Sequence, residues 1–350
     1  MTKQITLAID AMGGDRGPAM VIEATAMAAK RFPEAFFILY GRDSALKPLV
    51  AHYKILKDRV RIVHTPDVVE GEDKPSLAIR HGRKSSMGLA IAAVKAGEAG
   101  VAISAGNTGA LMALAKFTLR TMPGIYRPAL ATILPALKRD VIMLDLGANV
   151  DCDERNLVQF AIMGAAFSRT VLNQTLPRVG LLNVGVEELK GTDKVKEAGK
   201  ILHDANLPMH FVGFLEGDSI GIGDVDVVVT DGFTGNIAVK TAEGTAKLIA
   251  ELLRGAFQRS FITRIGFFFA RGGMEWIKKH LDPNTHNGAV FLGLNGLVVK
   301  SHGSANASGF AEAIQVAIDM SRNGITKLIT DDLKNFGSED FAKIKMSSTA

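Results

Sequence analysis

Cysteine occurs once in the 350 residues, at Cys152. A single thiol cannot close an internal disulfide or build a cysteine-based metal cluster, and it fits a reducing cytoplasm. Tryptophan occurs once and tyrosine three times. Few aromatics lie among the dispersed basic residues to act as base-stacking platforms, so nucleic acid is not an expected partner. No run approaches the ~18 apolar residues that a membrane span requires. Met1-Thr2-Lys3-Gln4 leads straight into a strand pattern, so no secretory signal is expected. A P-loop, a glycine fingerprint after the first strand, a zincin motif and a calcium loop are all missing, and a serine-hydrolase elbow is not expected. No nucleotide, tightly held metal or other cofactor is therefore expected.

What is present describes a soluble protein with a sizeable core, 47% apolar and 22% charged. A net charge of +5 suits an acidic partner: a phosphate, an anionic membrane surface or an acidic protein. Strand patterns at 5–9, 36–40, 60–64, 101–104, 129–134, 141–145, 179–184, 210–214 and 225–230 alternate with helical patterns at 18–31, 85–97, 108–121, 154–172, 193–205 and 235–253. Several strands read as continuous apolar runs, the mark of strands buried on both faces. This βαβ alternation predicts a doubly wound, mostly parallel α/β fold with Rossmann-like three layers. No linker or repeat interrupts it. Residues 1–342 are expected to form one α/β catalytic domain, with 343–350 a frayed tail.

The chemistry-bearing residues follow strands. The first strand runs into Asp10-Ala11-Met12-Gly13-Gly14-Asp15-Arg16-Gly17-Pro18. Glycines permit a tight turn and close approach to a ligand, strand carboxyl ends are where open α/β sheets bind ligands, and proline suits the first helical turn. Asp10, Gly13, Gly14 and Asp15 thus form a candidate binding loop. Gly106-Asn107-Thr108-Gly109 opens a helix after strand 101–104, and a helix N-terminus attracts anions. Thr234-Gly235-Asn236 repeats that arrangement after strand 225–230, beside Asp231, and the two turns are expected on the same edge of the sheet. In Asp145-Leu146-Gly147-Ala148-Asn149-Val150-Asp151, Asn149 offers two N–H donors. Asp151 either caps the helix at 154–172 or has a catalytic role. Asp151 and Asp153 flank Cys152 and disfavour its thiolate, so a nucleophilic cysteine is not expected.

Lys190 is a compact donor for a phosphate oxygen or oxyanion, although an exposed lysine is by default solvated. His302-Gly303-Ser304 follows the single apolar run 289–299 and offers an acid, an anion donor or a structural histidine. Residues 70–84 form a long charged connection, where Arg80, Arg83 and Lys84 either meet an acidic carrier or lipid or are solvated surface. Residues 257–277 interleave Phe257, Phe261, Phe267, Phe268, Phe269 and Trp276 with arginines and lysines. This stretch suits an interfacial membrane segment, a dimer contact or an acyl-chain pocket, and about 254–280 are expected to protrude as an apolar and basic helical segment.

Five segments, in order and across most of the chain, resemble the bacterial phosphate acyltransferase (PlsX) family. They are Ile9 to Asp15, Ser104 to Ala110, Asp145 to Cys152, Thr230 to Asn236, and Gly293-Leu294-Asn295-Gly296 with His302-Gly303-Ser304. The chain departs from the family pattern at Val186, which follows Gly185 where a glutamate is usual, and at Ala305, where a second serine is usual. The resemblance implies an isopropylmalate-dehydrogenase/phosphotransacetylase-like fold, two subdomains around a cleft, and a homodimer. It implies the reaction of fatty acyl-(acyl carrier protein) with inorganic phosphate to give acyl phosphate and free carrier. The product would feed a membrane glycerol-3-phosphate acyltransferase in phospholipid synthesis. The enzyme would be cytoplasmic, held peripherally at the inner face of the cell membrane.

On that footing Lys190, Asp231, Asn236 and His302 are expected catalytic residues. Asp10, Gly13, Gly14, Asp15, Gly106, Asn107, Thr108, Asn149, Thr234 and Gly235 are expected to bind substrate. The Gly106–Thr108 turn and Lys190 would take phosphate, Asn149 and Asn236 would donate to substrate, Asp231 would orient Lys190, and His302 would protonate the thiolate. Two other readings stand beside this one: a nicotinamide-dependent dehydrogenase of related fold, and a non-enzymatic membrane-surface scaffold for acyl carrier protein.

Overall fold

The computed structural model describes residues 5–282 and 284–336; the tail expected at 343–350 lies outside them. Strands β1 (Ile5–Asp10), β2 (Ala35–Gly41), β3 (Val60–His64) and β4 (Val101–Ser104) pair in parallel. Alternate residues of each face opposite layers. Leu7, Ile9, Val101 and Ile103 pack beneath α1 (Gly17–Arg31) and α11 (Ala307–Asn323), and α6 (Glu154–Val171) covers the same face of the other half. Ala8, Ile38 and Ala102 pack beneath α4 (Ser86–Lys95) and α5 (Thr108–Leu119). Helices on both faces explain why these strands read as unbroken apolar runs.

The other half reverses direction. β11 (Leu297–Lys300) lies parallel to β4, then β10 (Ala289–Leu292), β5 (Ala129–Leu134) and β6 (Val141–Leu144) follow by three successive antiparallel pairings. β9 (Val227–Val229), β7 (Arg178–Leu182) and β8 (His210–Leu215) continue in parallel with β6. The order is β3-β2-β1-β4-β11-β10-β5-β6-β9-β7-β8. Three reversals are an odd number, so β9 runs opposite to β4. The turns after β4 and β9 therefore sit on opposite edges of the sheet, not on the shared edge expected from the sequence.

Two further readings change. The charged connection at 70–84 contains α3 (Pro75–His81) and a short 3-10 turn. The apolar run 289–299 is two strands, and Gly293-Leu294-Asn295-Gly296 is the turn between them. Asn295 Nδ2 donates to the carbonyls of Leu119, Arg120 and Thr121 at 3.2, 3.4 and 2.8 Å, pinning that turn to the end of α5. The sequence patterns also passed over α2 (Asp43–His52) and α12 (Ile325–Asn335), while α10 (Phe261–Leu281) overlaps the helical segment expected at about 254–280. α7 (Asp193–Asp204), α8 (Ser219–Ile222) and α9 (Gly232–Gln258) complete the set. Helices α9 and α10 pack on each other, with the Phe257 and Phe267 rings 5.2 Å apart.

Candidate active site

The carboxyl ends of β1, β4 and β11 meet on one edge, and α1, α5 and α11 begin there. Asp10 is buried. Its Oδ2 accepts from the Ser104 hydroxyl at 2.7 Å, and its Oδ1 accepts from the Met12 and Gly13 amides, each at 3.2 Å. The Ser104 hydroxyl in turn accepts from the Gly106 amide at 3.0 Å. A Cβ on Gly13 would sit 2.6 Å from Asp10 Oδ2 and 2.8 Å from the Gly106 nitrogen. The loops after β1 and β4 therefore interlock only with glycine there. Asp15 donates its amide to the Gly303 carbonyl at 2.9 Å, which ties in the loop after β11.

Two further groups line that junction. Lys300 pairs in register with Ser104 and is 8% exposed. Its Nζ donates to the Ala105 carbonyl at 3.2 Å and to the Ser301 carbonyl. Burial pulls its amine down to about 8, against the opposing pull of Asp15 and Asp10. His302 is held by its amide to Asn287 Oδ1 at 2.9 Å, and its Nδ1 lies 2.9 Å from the Ser304 hydroxyl. Burial first, then Lys240 of α9, lowers its pKa below the ordinary histidine value, favouring a neutral imidazole at pH 7.

Asn107 caps α5 through Oδ1, which accepts from the Ala110 amide at 2.9 Å. Its Nδ2 donates to the carbonyls of Gly71 and Asp73. The side chain is fully engaged in holding α3's approach loop, which leaves exposed Thr108 and the first backbone amides of α5 to face a ligand.

The opposite edge gathers the rest. Asp145 is fully buried and accepts from the amides of Leu130, Ala148 and Asn149 and from Asn149 Nδ2. Burial raises its pKa, and those hydrogen bonds counter the rise. Asn149 Nδ2 donates to Asp145 and, at 2.8 Å, to the Pro128 carbonyl. The two donors expected of Asn149 are thus already committed, and the residue holds its own loop. Asp231 caps α9: its carboxylate accepts from the Thr234 amide at 2.9 Å and the Thr234 hydroxyl at 2.8 Å. Gly235 lets that helix press on the sheet, since a Cβ there would fall 1.9 Å from the Asp145 carbonyl oxygen. Thr234 and Asn236 are exposed, and Asn236 lies beside Gly147.

Lys190 also belongs to this edge, in the loop after β7. It is exposed and pairs with Glu187 at 2.8 Å, which raises its amine above the ordinary lysine value. It contacts neither Asp231 nor the Gly106–Thr108 turn, so the expected pairings of Lys190 with those groups do not form. Asp151 pairs with Lys194 at 2.7 Å, and the cap of α6 is Asp153. Cys152 is buried and its thiol is pushed up to about 12, by burial first and then by Asp145 rather than by its chain neighbours.

Helix α9 links the two edges. It starts at Asp231, and its Lys240 exerts an electrostatic influence on both Lys300 and His302. One motif runs contrary to expectation: Gly217-Asp218-Ser219-Ile220-Gly221 has the spacing of a serine elbow. It forms the four-residue α8 on the edge-strand side, and among the described residues no histidine hydrogen-bonds to Ser219. Sequence reasoning missed Ser104 and Lys300. The available signal was a lysine ending the apolar run Leu297-Val298-Val299, immediately before Ser301 and His302.

Comparison with known proteins places this geometry. A model of the family described as "Fatty acid synthesis protein" matches residues 5–328. A phosphate acyltransferase of Rhodospirillum rubrum is 51% identical over 333 residues, 95% of each chain. One from Parvibaculum lavamentivorans is 54% identical over 95% of this chain and 92% of its own. Among solved structures, a phosphotransacetylase from Streptococcus pyogenes aligns with TM-score 0.61 at 17% identity, over 92% of this chain and 95% of that one. EutD phosphotransacetylase from Staphylococcus aureus aligns with TM-score 0.58 at 15% identity, over 91% and 94%. Those two likenesses show a shared fold. Family membership supersedes the dehydrogenase and scaffold readings. The chain belongs to the fatty acid synthesis protein family, as a transferase of the phosphate acyltransferase kind.

Proposed function

We propose that this enzyme transfers a fatty acyl group from the thioester of acyl carrier protein to inorganic phosphate. The products are acyl phosphate and the free carrier thiol, and the acyl phosphate then serves a glycerol-3-phosphate acyltransferase in phospholipid synthesis. The observation that carries the reading is identity above half with phosphate acyltransferases over nearly the whole chain. Phosphate is itself a nucleophile, so the chemistry asks for positioning and charge stabilisation rather than a protein nucleophile. The high pKa of the buried Cys152 agrees with that demand.

Within this reading, the edge of β1, β4 and β11 takes the phosphate. Asp10, Gly13, Gly14 and Asp15 shape the loop, Gly106, Asn107 and Thr108 present the first turn of α5, and His302 serves the departing thiolate. Asn149, Asp231, Thr234, Gly235, Asn236 and Lys190 form the second edge and receive the acyl–carrier side. Exposed Phe261, Ile262, Phe268 and Phe269, interleaved with Arg264 and Arg271 on α10, support peripheral contact with the inner face of the cell membrane. No helix of the described residues is long and apolar enough to cross one. Leu248, Ile249 and Leu252 on α9 are also exposed and support pairing of two copies.

The test is incubation with palmitoyl-loaded acyl carrier protein, with and without inorganic phosphate, followed by mass spectrometry. Phosphate-dependent acyl phosphate is the expected product. Carrier binding without acyl phosphate would sink the reading.

A further inference from the structure

Lys300 is a buried ammonium without an ion pair. It is 8% exposed, and among the described residues no carboxylate reaches it at contact distance; Asp10 and Asp15 act on it through space. Asp10 is occupied by Ser104, Met12 and Gly13. An ammonium carries three N–H donors. Two serve the carbonyls of Ala105 and Ser301, which leaves one open. Burying a charged amine without a contacting counterion is unfavourable, and the rest of β11 is apolar. Packing alone gives no reason for a lysine at this position; an anion arriving from solution does.

The surroundings favour the same ligand. Helices α1, α5 and α11, of 15, 12 and 17 residues, all begin on this edge and turn the positive ends of their dipoles toward it. The N-terminus of α1 has no side-chain cap.

We propose that Lys300 is the cation that binds the attacking phosphate, through its third N–H, where the loops after β1, β4 and β11 meet. The proposal rests on the phosphate acyltransfer reading for the identity of the anion. The role is electrostatic: the ammonium holds the dianion and no bond to nitrogen forms.

The charged groups facing Lys300 are Asp10 and Asp15 from the β1 loop, Lys240 from α9, and His302, beside which Glu243 and Lys247 of α9 also act. Strands β4 and β10 contribute none. On α11, Glu312, Asp319 and Arg322 are engaged with Arg31, Gln315 and Glu34. With its amine near 8, Lys300 is charged at neutral pH and loses its charge on moderate alkalinisation, whereas an ordinary lysine keeps it beyond pH 9.

The experiment uses the full chain and inorganic phosphate. Thermal shift with phosphate is measured from pH 7 to 10 for wild type and Lys300→Met, and KM for phosphate is measured beside KM for acyl carrier. We expect wild-type stabilisation by phosphate at pH 7, with an alkaline limb near 8. Lys300→Met loses it and raises KM for phosphate by about 10- to 100-fold, with KM for the acyl carrier unchanged. A folded Lys300→Met chain that retains wild-type phosphate stabilisation overturns the proposal. If that variant does not fold, the wild type decides: a phosphate response unchanged to pH 9.5 overturns it. A wild type that responds to phosphate near pH 8 but makes no acyl phosphate sinks the carrier reading and leaves Lys300 in place.

Discussion

Two residues at strand ends carry opposite consequences for stability. Lys300 has its amine lowered from 10.5 to about 8 by burial. The unfolded chain therefore binds more protons between those values, and stability rises with pH across that window. Below it the full penalty applies, roughly 3 kcal/mol. Lys300→Met removes that penalty but strips donors from two carbonyls, at about 1 kcal/mol each. The variant should be more stable than wild type at pH 7 by about 1 kcal/mol, with the order reversed by about the same amount at pH 10, where the penalty has largely gone and the lost donors remain, as read from guanidinium midpoints at both pH values. Cys152 behaves differently. Its thiol, pushed up to about 12, stays protonated at neutral pH. Cys152→Ala should retain kcat/KM within about threefold, and the wild-type thiol should react with a thiol reagent only on unfolding. Fast labelling of the native chain contradicts this. Motif residues such as Asp10 and Gly13 were legible because strand-end glycines and carboxylates are rare combinations. Lys300 was not, because one lysine among 41 basic residues shows its burial only through long-range packing.

At the scale of elements, local periodicity was a good guide where one helix or strand is buried by its neighbours, as in α6 or β4. It failed where structure depends on a turn or on exposure. The run 289–299 reads as a single apolar segment, yet Asn295 turns it into a hairpin by holding three carbonyls at 119–121. Asn295→Ala leaves those carbonyls short of a donor, and we expect a loss of about 1–3 kcal/mol in chemical denaturation; an unchanged midpoint would show the turn to be self-sufficient. Helix α10 overlaps the helical segment expected at about 254–280, although Gly266, Gly272 and Gly273 weaken its propensity. Its exposed apolar face yields a direct test. Phe261→Glu with Phe268→Glu should abolish co-flotation with vesicles containing anionic lipid while leaving the denaturation midpoint unchanged, since both side chains are exposed. Flotation equal to wild type would remove α10 from membrane contact.

The whole molecule shows why the direction of strands could not be read locally. Parallel and antiparallel neighbours differ in their pairing partners, and those partners are far apart in sequence. The chain completes β1 to β4, crosses to build β5 through β9, and returns through β10, β11 and α11 to the first half. Strand β11 pairs with β4, and α11 covers α1 and β1. The last described helix, α12, then packs back on the second half, where Asp332 pairs with Arg169 of α6. Neither half owns a complete core. A fragment ending at residue 128 would keep four parallel strands but expose the β4 edge and the α1 face that Phe310, Ile314 and Ile318 bury. Unpaired edges of that kind favour association over folding. We therefore expect this fragment to give poorly dispersed amide resonances and to aggregate, and the intact chain to unfold in one transition by both near- and far-ultraviolet circular dichroism. A well-dispersed spectrum from the fragment would mean that the first half folds alone, and that the returning hairpin and α11 serve the phosphate edge rather than the stability of the sheet.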